Sequence, residues 1–441
     1  MQTTKLALLA AGLLTLAAPV EAGPVLMISV DGLRPADIID AARRGVAVPN
    51  LTAMMARGAF AESVVGVLPT LTYPSHVTLL TGASPARHRI ASNQTFDPLA
   101  INREGWFWYA DDIAVPTLWS AARAAKLVTV NVHWPVSVAA PVDWNLPQIW
   151  RTGHADDRKL MRALATPGLL SRLERQLGPY AQGIDESVEA DENRVRFAAA
   201  LIAEKKPALT TLYLASVDHA EHAFGPGSPE AFATIARNDA MIGRLVASAR
   251  AAEPDLTVVV VSDHGFQPLT TDVNLIAPFV AAGLITIDAS GKISDWQAEP
   301  WFMGGTAGVV LKDPGDAAVV AKVAALLERL KADPDMAITE ILDRDAIARM
   351  GGATDLSFLL AFRPGFEAGH DPRAPKQSPS AYKGMHGYVP SLPAMRASLV
   401  VDGPGLRTHG NLGEIDMRSI APSVARMIGA PLTGAERPPA F

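Results

Sequence analysis

The run Val25-Leu26-Met27-Ile28-Ser29-Val30 leads directly into Asp31-Gly32. Its residues are apolar or small and show no polar alternation, which is typical of a parallel strand that is buried on both faces. Similar runs recur at 127–132, 210–217, 256–261 and 397–401, and helical segments lie among them at 117–125, 229–252 and 316–331. This alternation predicts an α/β fold, with a three-layer α/β/α arrangement around a mostly parallel central sheet.

The alternation is interrupted in two regions, at about 93–150 and about 268–382, which are rich in Trp, Pro and Gly. We expect one domain over 23–441, with these two regions as insertions beside its functional site. Trp106, Trp108 and Tyr109 lie in the first region. They either wall a pocket or pack in the core, and the sequence leaves both interpretations open.

The composition excludes some classes of partner. With 49% hydrophobic and 19% charged residues over 441 positions, the chain has the composition of a globular protein. Its net charge of −6 argues against a broad positive surface for a nucleic-acid polymer, although a small phosphoester or nucleotide substrate is still compatible. Cysteine is absent, so tight metal binding must rest on His, Asp and Glu, which suit zinc or manganese.

The N-terminal residues 1–22 are predicted to form a signal peptide. Lys5 precedes the apolar run 6–18, and the segment ends with Val20-Glu21-Ala22, after which we expect cleavage. Because about 20 apolar residues are needed to cross a bilayer, this shorter run favours export over a membrane anchor. No later stretch is long enough to span a membrane.

Acidic residues follow four of the predicted strands. These residues are Asp31, Asp218, Asp263 and Asp402. The carboxyl ends of parallel strands meet at one edge of a sheet, so we expect these acids to gather there. Carboxylates held together repel one another, and a divalent cation is the usual compensation.

Three histidines accompany these acids. His222 follows Asp218 by four residues, which places both on one face of a helical turn, and His264 follows Asp263 directly. We expect Gly265 to permit a sharp turn after that pair. His386 lies in the glycine-flanked segment 384–388. Each pair alone also suits a solvated helix face, a strand-end turn or an ordinary loop, but six such residues together provide ligands for two tetrahedral zinc sites.

The segment Pro69-Thr70-Leu71-Thr72-Tyr73-Pro74-Ser75-His76 precedes a helix-like stretch and the turn Thr81-Gly82. The start of a helix presents free N–H groups and a positive dipole end, which suit a phosphoryl group. A loop bounded by prolines, with a hydroxyl that only caps the helix, is the alternative interpretation.

In their order and spacing, these motifs resemble the nucleotide pyrophosphatase/phosphodiesterases of the alkaline phosphatase superfamily, in particular bacterial type I phosphodiesterases. The resemblance rests on five segments that span most of the chain, namely 30–32, 69–76 with 81–82 and 85–88, 218–222 with 225–226, 263–265, and 384–388. It implies an alkaline phosphatase-like fold and a metal-dependent hydrolase. Such an enzyme would cleave phosphodiester or phosphoanhydride bonds of nucleotide-type substrates through a covalent phosphothreonine.

The resemblance also implies roles for individual residues. Asp31, Thr72, Asp263 and His264 surround one zinc ion, and Asp218, His222 and His386 hold the other, with manganese as the alternative metal. Thr72 is the nucleophile because it directly precedes the aromatic-proline pair Tyr73-Pro74. Asn93 donates its side-chain amide to the phosphoryl oxygen, and Tyr73 binds the leaving or transferred group. Without the extra domains of animal relatives, the chain is similar to secreted forms of the bacterial periplasm.

The chain departs from the family pattern at two places. Ser75 stands where the family commonly has Asn, and His88-Arg89-Ile90 stands where it has His-Gly-Ile. Neither position is a metal ligand in the family, so the departures concern the pocket rather than the reaction.

Other functions remain open at this stage. A phosphomonoesterase or phosphonate hydrolase of the same superfamily would use similar ligands, and a monoester would favour a nearby Arg34, Arg89 or Lys383. A sulfatase is disfavoured, because Thr72 and His76 occupy the first and last places of its Cys/Ser-x-Pro-x-Arg frame. A periplasmic metal- or phosphate-binding protein is the non-enzymatic alternative, but it needs neither a nucleophile nor an oxyanion donor.

Overall fold

The computed structural model describes residues 22–102, 105–151, 153–181, 185–369, 371–404, 406 and 408–441. The predicted signal peptide at 1–22 therefore lies outside the described residues, except for Ala22. Within the described part of the chain, no helix combines the length and the apolar content that crossing a membrane requires.

An eight-stranded central sheet organises the fold. Its strands, in spatial order, are Gly410–Asn411, Ala59–Phe60, Leu399–Asp402, Thr257–Val261, Val25–Val30, Leu209–Leu214, Thr129–Val132 and Trp144–Leu146. The strand Val25–Val30 pairs in parallel with Leu209–Leu214 on one side and with Thr257–Val261 on the other. The predicted α/β class with a mostly parallel sheet is thus confirmed.

Both faces of the sheet are covered by apolar clusters. A strand can contribute to both clusters, because its successive side chains point to opposite faces. Leu26, Ile28 and Val30 belong to one apolar cluster, whereas Val25 and Met27 belong to the cluster on the other face. Helices pack on each face. The described α-helices are Pro35–Ile39, Ala41–Arg44, Pro49–Arg57, Thr72–Thr81, Pro85–His88, Leu118–Ala124, Asp157–Leu164, Leu169–Leu177, Val188–Lys205, Ser216–Phe224, Pro229–Ala252, Ile276–Ala281, Ala317–Ala332, Arg344–Arg349 and Ile420–Met427.

Two sequence expectations about the strands are wrong. The run 210–217 was expected to be a single strand, but the strand ends at Leu214 and Val217 lies in the helix Ser216–Phe224. The strand Leu399–Asp402 is antiparallel to Thr257–Val261, with Asp402 opposite Val258. Asp402 therefore lies at the amino ends of the parallel strands, away from the other three acids. There, Arg57 and Arg250 pair with its carboxylate at 2.6 and 3.2 Å.

The region 268–382 builds further sheets with an apolar core of their own. A four-stranded antiparallel sheet has the order Ala298–Met303, Thr306–Leu311, Phe358–Phe362 and Ile338–Asp343. Its core cluster includes Val309, Leu327 and Leu360. The remaining described strands form small sheets, Phe366–Gly369 with Thr271–Asn274 and Gln377–Pro379, Ile285–Ile287 with Ile293–Trp296, Gln267–Pro268 with Gly384–Met385, and Ser63–Val65 with Glu414–Asp416.

The region 93–150 is of mixed character. Its later half contributes two strands, Thr129–Val132 and Trp144–Leu146, to the central sheet. Near its start, an isolated bridge joins Gln94 to Trp106 and brings residues 93–97 close to 105–107. The division of the chain into one domain with two insertions stays a prediction.

Candidate active site

The carboxyl ends of three parallel central strands carry the candidate site. Val30 and Leu214 are register partners, and Val261 lies beside Ser29, so these strands end at nearly the same level. Asp31 follows the first of them and Asp263 follows the third. Asp218 lies one turn into the helix that follows the second. This arrangement brings together three acids that are far apart in the sequence.

One cluster of ligand atoms surrounds the imidazole of His264. Its Nε2 lies 3.3 Å from Asp31 Oδ1 and 3.1 Å from Asp263 Oδ2. The hydroxyl of Thr72 lies 3.4 Å from the same nitrogen. The four residues that the sequence assigned to one metal therefore converge on one point, and all four are buried.

A second cluster surrounds the carboxylate of Asp218. His222 Nε2 lies 3.5 Å from its Oδ2, and His386 Nε2 lies 3.6 Å from its Oδ1. The ring of His386 also stacks on His264 with centroids 3.7 Å apart. Two sets of residues could each hold a metal ion, because within each set the possible ligand atoms lie within 4.8 Å of one another. One set is Asp31, Asp263 and His264, and the other is Asp218, His264 and His386. His264 belongs to both sets, whereas His222 contacts Asp218 from outside the second.

His386 reaches this edge of the sheet from more than one hundred residues away in the sequence. The strand Gly384–Met385 pairs with Gln267–Pro268, just after the Asp263-His264 pair. The segment 384–388 also contacts the segment 69–76, which carries Thr72, because His386 Nδ1 lies 3.1 Å from the carbonyl oxygen of Thr70. The position of His386 is thus fixed by two independent contacts.

Gly265 matters for close packing rather than for an unusual turn. A Cβ atom there would lie 2.1 Å from the carbonyl oxygen of Ala394, and the residue is not among those with positive φ. The expectation that Gly265 permits a sharp turn is therefore corrected. The strand end that carries His264 needs a glycine because another backbone segment passes directly beside it.

The protonation of the clustered groups suits a cation. Burial, together with neighbouring acids, raises the pKa of Asp31 and of Asp218 well above the usual range of a carboxyl. Burial also lowers the pKa of His222 to about 4 and that of His386 well below its usual value. For Asp263, the imidazoles of His264 and His76 outweigh burial and lower the pKa. Neutral imidazoles keep a lone pair for a metal, and the repelling carboxylates gain from positive charge.

Thr72 is the first residue of the helix Thr72–Thr81, so the helix begins within the segment 69–76, whereas the sequence predicted that it begins after this segment. The backbone N–H of Tyr73 donates to Asn93 Oδ1 over 2.8 Å. Because that carbonyl oxygen must be the acceptor, the NH2 group of Asn93 is left as a donor. Asn93 and Thr72 line the same cleft, which has a volume of about 480 Å3.

The aromatic residues near Thr72 have distinct positions. Tyr73 is fully buried and lies edge-on to Trp106 and Trp150, which stack on each other with centroids 4.3 Å apart. Trp106 and Trp150 line the cleft. Trp108 packs against the core, and Tyr109 is exposed. A role of Tyr73 in substrate binding stays a prediction, and in this geometry it would act through the two tryptophan rings.

Two residues that support the site were missed by the sequence reasoning. The hydroxyl of Tyr213 donates to Asp31 Oδ2 over 2.5 Å. His76 lies between Ser29 Oγ at 2.8 Å, the carbonyl oxygen of Thr72 at 2.7 Å and the carboxylate of Asp263 at 3.6 Å. Tyr213 reaches Asp31 because it lies near the carboxyl end of its strand, opposite Ser29, and the pairing of the two strands would have been needed to find it.

The walls of the cleft are acidic. Glu186, Asp272 and Glu367 line it, and none of its described lining residues is Lys or Arg. Arg34, which the sequence offered as an extra phosphate ligand, instead pairs with Asp37 at 2.7 Å and Glu221 at 3.3 Å. Arg89 and Lys383, the other two candidates, are not among the lining residues.

Sequence comparisons point to one family. A family model described as type I phosphodiesterase / nucleotide pyrophosphatase matches residues 25–388. An uncharacterized pyrophosphatase/phosphodiesterase of Schizosaccharomyces pombe is 26% identical over 264 residues, which cover 57% of this chain and 46% of that protein. Human ectonucleotide pyrophosphatase/phosphodiesterase family member 1 is 25% identical over 257 residues, covering 56% of this chain and 24% of that protein. The match thus spans less than half the length of these relatives.

Structure comparisons show the same fold. Human ectonucleotide pyrophosphatase/phosphodiesterase 5 superimposes with a TM-score of 0.67 and 19% identity, covering 93% of this chain and 96% of that chain. The murine protein, as an inactive threonine-to-alanine variant in complex with AMP, gives a TM-score of 0.67 at 18% identity with the same coverage. The predicted alkaline phosphatase-like fold is confirmed by these matches.

Proposed function

This chain belongs to the type I phosphodiesterase / nucleotide pyrophosphatase family, and from that membership we propose that it is a metal-dependent hydrolase of phosphodiester or phosphoanhydride bonds. Thr72 is the covalent nucleophile in this proposal, and two zinc ions are the metals, with manganese as the alternative. The observation that carries the proposal is the convergence of Thr72 Oγ1, Asp31 and Asp263 on His264 Nε2 within 3.4 Å.

The residues present fit a pair of cations. One carboxylate oxygen each of Asp31, Asp218 and Asp263 is fully buried and has no hydrogen-bond partner in the described structure. Three such buried oxygens close to one another are costly without a positive ion. Asp31, Asp263, His264 and Thr72 would hold one metal, and Asp218, His222 and His386 the other. When bound, the two cations would supply positive charge that stabilises the attacking and the leaving oxygen.

The residues of the chain carry the reaction in two displacements. Thr72 Oγ1 attacks phosphorus, and the bond from phosphorus to the leaving oxygen breaks with its electron pair on that oxygen. The hydroxyl proton of Thr72 passes through solvent to the leaving group. The NH2 group of Asn93 donates to a non-bridging phosphoryl oxygen, where negative charge develops. A water molecule then attacks the phosphothreonine, which releases the product and restores the Thr72 hydroxyl.

The cleft favours a diester over a monoester. A phosphomonoester carries one more negative charge than a diester and gains from a nearby Arg or Lys. The described lining of the cleft offers neither, and it adds the carboxyls of Glu186, Asp272 and Glu367. A nucleotide-type substrate is supported by the AMP complex of the murine relative and by the stacked rings of Trp106 and Trp150 beside the nucleophile.

Replacement of the nucleophile tests the mechanism. We expect Thr72→Ala to lower turnover of bis-p-nitrophenyl phosphate by at least about a thousandfold, because no other hydroxyl occupies its position. Metal content, measured by plasma emission spectrometry, should change little, since the acids and imidazoles remain. Thr72→Ser is the matched control, and it should retain a measurable part of the activity.

Two results would contradict the proposal. Full activity of Thr72→Ala would rule out the covalent route. A strong preference of the wild type for p-nitrophenyl phosphate, or for an aryl phosphonate, over bis-p-nitrophenyl phosphate would instead assign the chain to the phosphomonoesterases or phosphonate hydrolases. Metal-loaded protein that hydrolyses none of these compounds would favour a binding protein.

A further inference from the structure

A second cavity, of about 520 Å3, lies beside the catalytic cleft. The two cavities share Gln94 and Phe302 in their walls. The segment from 93 to 107 separates them, held by the bridge between Gln94 and Trp106 and by a hydrogen bond from Thr95 N–H to the carbonyl oxygen of Gly105. A molecule attached to phosphorus in the cleft therefore has a neighbouring space into which it can extend.

The walls of this second cavity include the aromatic rings of Phe96, Trp301 and Phe302. Phe96 and Trp301 line it, with ring centroids 5.5 Å apart. Phe96 also lies edge-on to Trp296 at 5.4 Å, which fixes its ring. Flat aromatic faces of this kind attract apolar groups and, through their quadrupole, organic cations.

Glu299 lines the same cavity, and one oxygen of its carboxyl group is unsatisfied. Glu299 is only 7% exposed. Its Oε2 is fully buried and has no hydrogen-bond partner among the described residues. An unpaired buried carboxyl is costly, so in a native structure it calls for an explanation.

The surroundings of Glu299 favour a positive partner. Asp97 also lines the cavity, and its carboxylate is already engaged by the backbone N–H groups of Ile101 and Asn102. Burial, reinforced by the charge of Asp97, raises the pKa of Glu299 to about 8. Lys292, an exposed residue, is the one cationic side chain among the described lining residues, and it forms no ion pair with Glu299.

We propose that this cavity is a substrate subsite that binds an organic ammonium group on an aromatic or apolar stem, with Phe96 and Trp301 enclosing the stem and Glu299 receiving the ammonium. An ammonium group in the cavity would pair with the Glu299 carboxylate and would stabilise its ionised form beside Asp97. Resting on the function proposed above, this assigns to the enzyme phosphodiesters in which one ester arm carries an amine.

Binding of a small amine tests the subsite without any turnover. We expect 2-phenylethylamine to bind the full-length, metal-loaded protein at least about tenfold more tightly than its neutral analogue 2-phenylethanol, as measured by isothermal titration calorimetry. Glu299→Gln keeps the shape of the side chain and should remove this preference. Glu328→Gln, an exposed position on the helix Ala317–Ala332, is the matched control and should retain it.

A further variant distinguishes amine binding in the second cavity from amine binding in the catalytic cleft, which is also acidic. Glu367→Gln changes the cleft alone and should leave amine binding intact. The subsite is overturned if 2-phenylethanol binds as tightly as the amine, if Glu299→Gln binds the amine as the wild type does, or if Glu367→Gln is the variant that loses it. Thermal denaturation confirms that each variant is folded.

Kinetics then connect the subsite to substrate choice. Two p-nitrophenyl phosphodiesters are compared, whose second arm is 4-(2-aminoethyl)phenyl or 4-(2-hydroxyethyl)phenyl. We expect kcat/KM to favour the amine by at least about tenfold in the wild type and to be equal in Glu299→Gln. Equal values in the wild type overturn the subsite even if both esters are cleaved. If the amine binds but no diester is cleaved, the subsite stands and the proposed reaction fails.

Discussion

The individual residues of the site differ in how far the sequence could predict them. Asp31 follows an apolar strand directly, and Asp263 and His264 follow another within three residues, so their placement at one end of the parallel strands follows from the pattern alone. The roles expected for Thr72 and Asn93 came from the resemblance, since a threonine at a helix start is usually only a cap. Tyr213 and His76 escaped prediction because their contacts with Asp31 and Asp263 run across the sheet and leave no trace in local spacing.

Tyr213 provides the first prediction at this scale. Its hydroxyl donates to Asp31 Oδ2 over 2.5 Å and thereby orients the other oxygen of that carboxylate toward His264. Tyr213→Phe keeps the ring but removes the donor, and partners of this kind contribute roughly 10–100-fold to metal affinity or activity. We expect a loss of that size in zinc titrations and in kcat.

The control for this variant is Tyr180→Phe, a buried tyrosine that packs on Phe197. It should change neither the zinc affinity nor kcat. Unchanged zinc affinity and kcat in Tyr213→Phe would show that Asp31 is positioned by the backbone alone.

At the scale of elements, the apolar runs predicted where strands lie but not in which direction they run. Leu399–Asp402 has the same composition as its parallel neighbours and is nevertheless antiparallel, because direction is set by the connection and not by the strand. For the same reason the sequence grouped Asp402 with the site acids. The strand predicted at 210–217 is longer than the observed one, because Val217 is buried in the following helix. Hydrophobicity alone does not distinguish a buried helix start from a strand end.

The helix Pro85–His88 yields a prediction on pH. His88 Nδ1 accepts the backbone N–H of Ile90 at 3.1 Å, so its other nitrogen carries the proton and faces Thr78 Oγ1. Burial lowers the pKa of His88 to about 3 from 6.5. The unfolded chain therefore binds a proton that the folded chain refuses, and stability falls as the pH is lowered from about 6.5 toward 3.

This single group should contribute a slope of about 1.4 kcal/mol per pH unit to the free energy of unfolding. Urea denaturation between pH 7 and pH 4 measures the slope, and His88→Gln should make it smaller. His409→Gln, at an exposed position, is the surface control and should not. If His88→Gln leaves the slope unchanged, the buried imidazole is charged in the folded state.

At the scale of the whole molecule, the central layers followed from the sequence, whereas the second sheet system did not. Residues 268–382 showed no clean periodicity, yet they form a four-stranded antiparallel sheet with its own core around Val309 and Leu360. Short antiparallel strands joined by turns give weak periodic signals, and their pairing depends on contacts that are not local. The second cavity, which lies between this sheet and the segment 93–107, was therefore beyond the reach of pattern analysis.

The two clusters of candidate metal ligands yield a prediction on global stability. Without cations, the buried carboxylates of Asp31, Asp218 and Asp263 repel one another at one sheet edge. We expect chelation by EDTA to lower Tm and restored zinc to raise it, with about 2.7 kcal/mol of stabilisation when free zinc is a hundredfold above Kd. Differential scanning calorimetry measures both changes.

Asp218→Asn should weaken this response, because it removes a ligand and also some of the repulsion. Thr72→Ala should leave it nearly unchanged, since the acids and imidazoles stay in place. A Tm that does not respond to either EDTA or zinc would show that the clusters hold no metal.

The folded-back segment from 93 to 107 has a consequence for how such enzymes diversify. One end of it presents Asn93 to the cleft that Thr72 lines, and a few residues further on it presents Phe96 to the neighbouring cavity. Replacements at 95–102 would therefore alter the second cavity and leave the hydrogen bond between Tyr73 and Asn93 in place. The shape of one cavity can thus vary independently of the other along a single short stretch of chain.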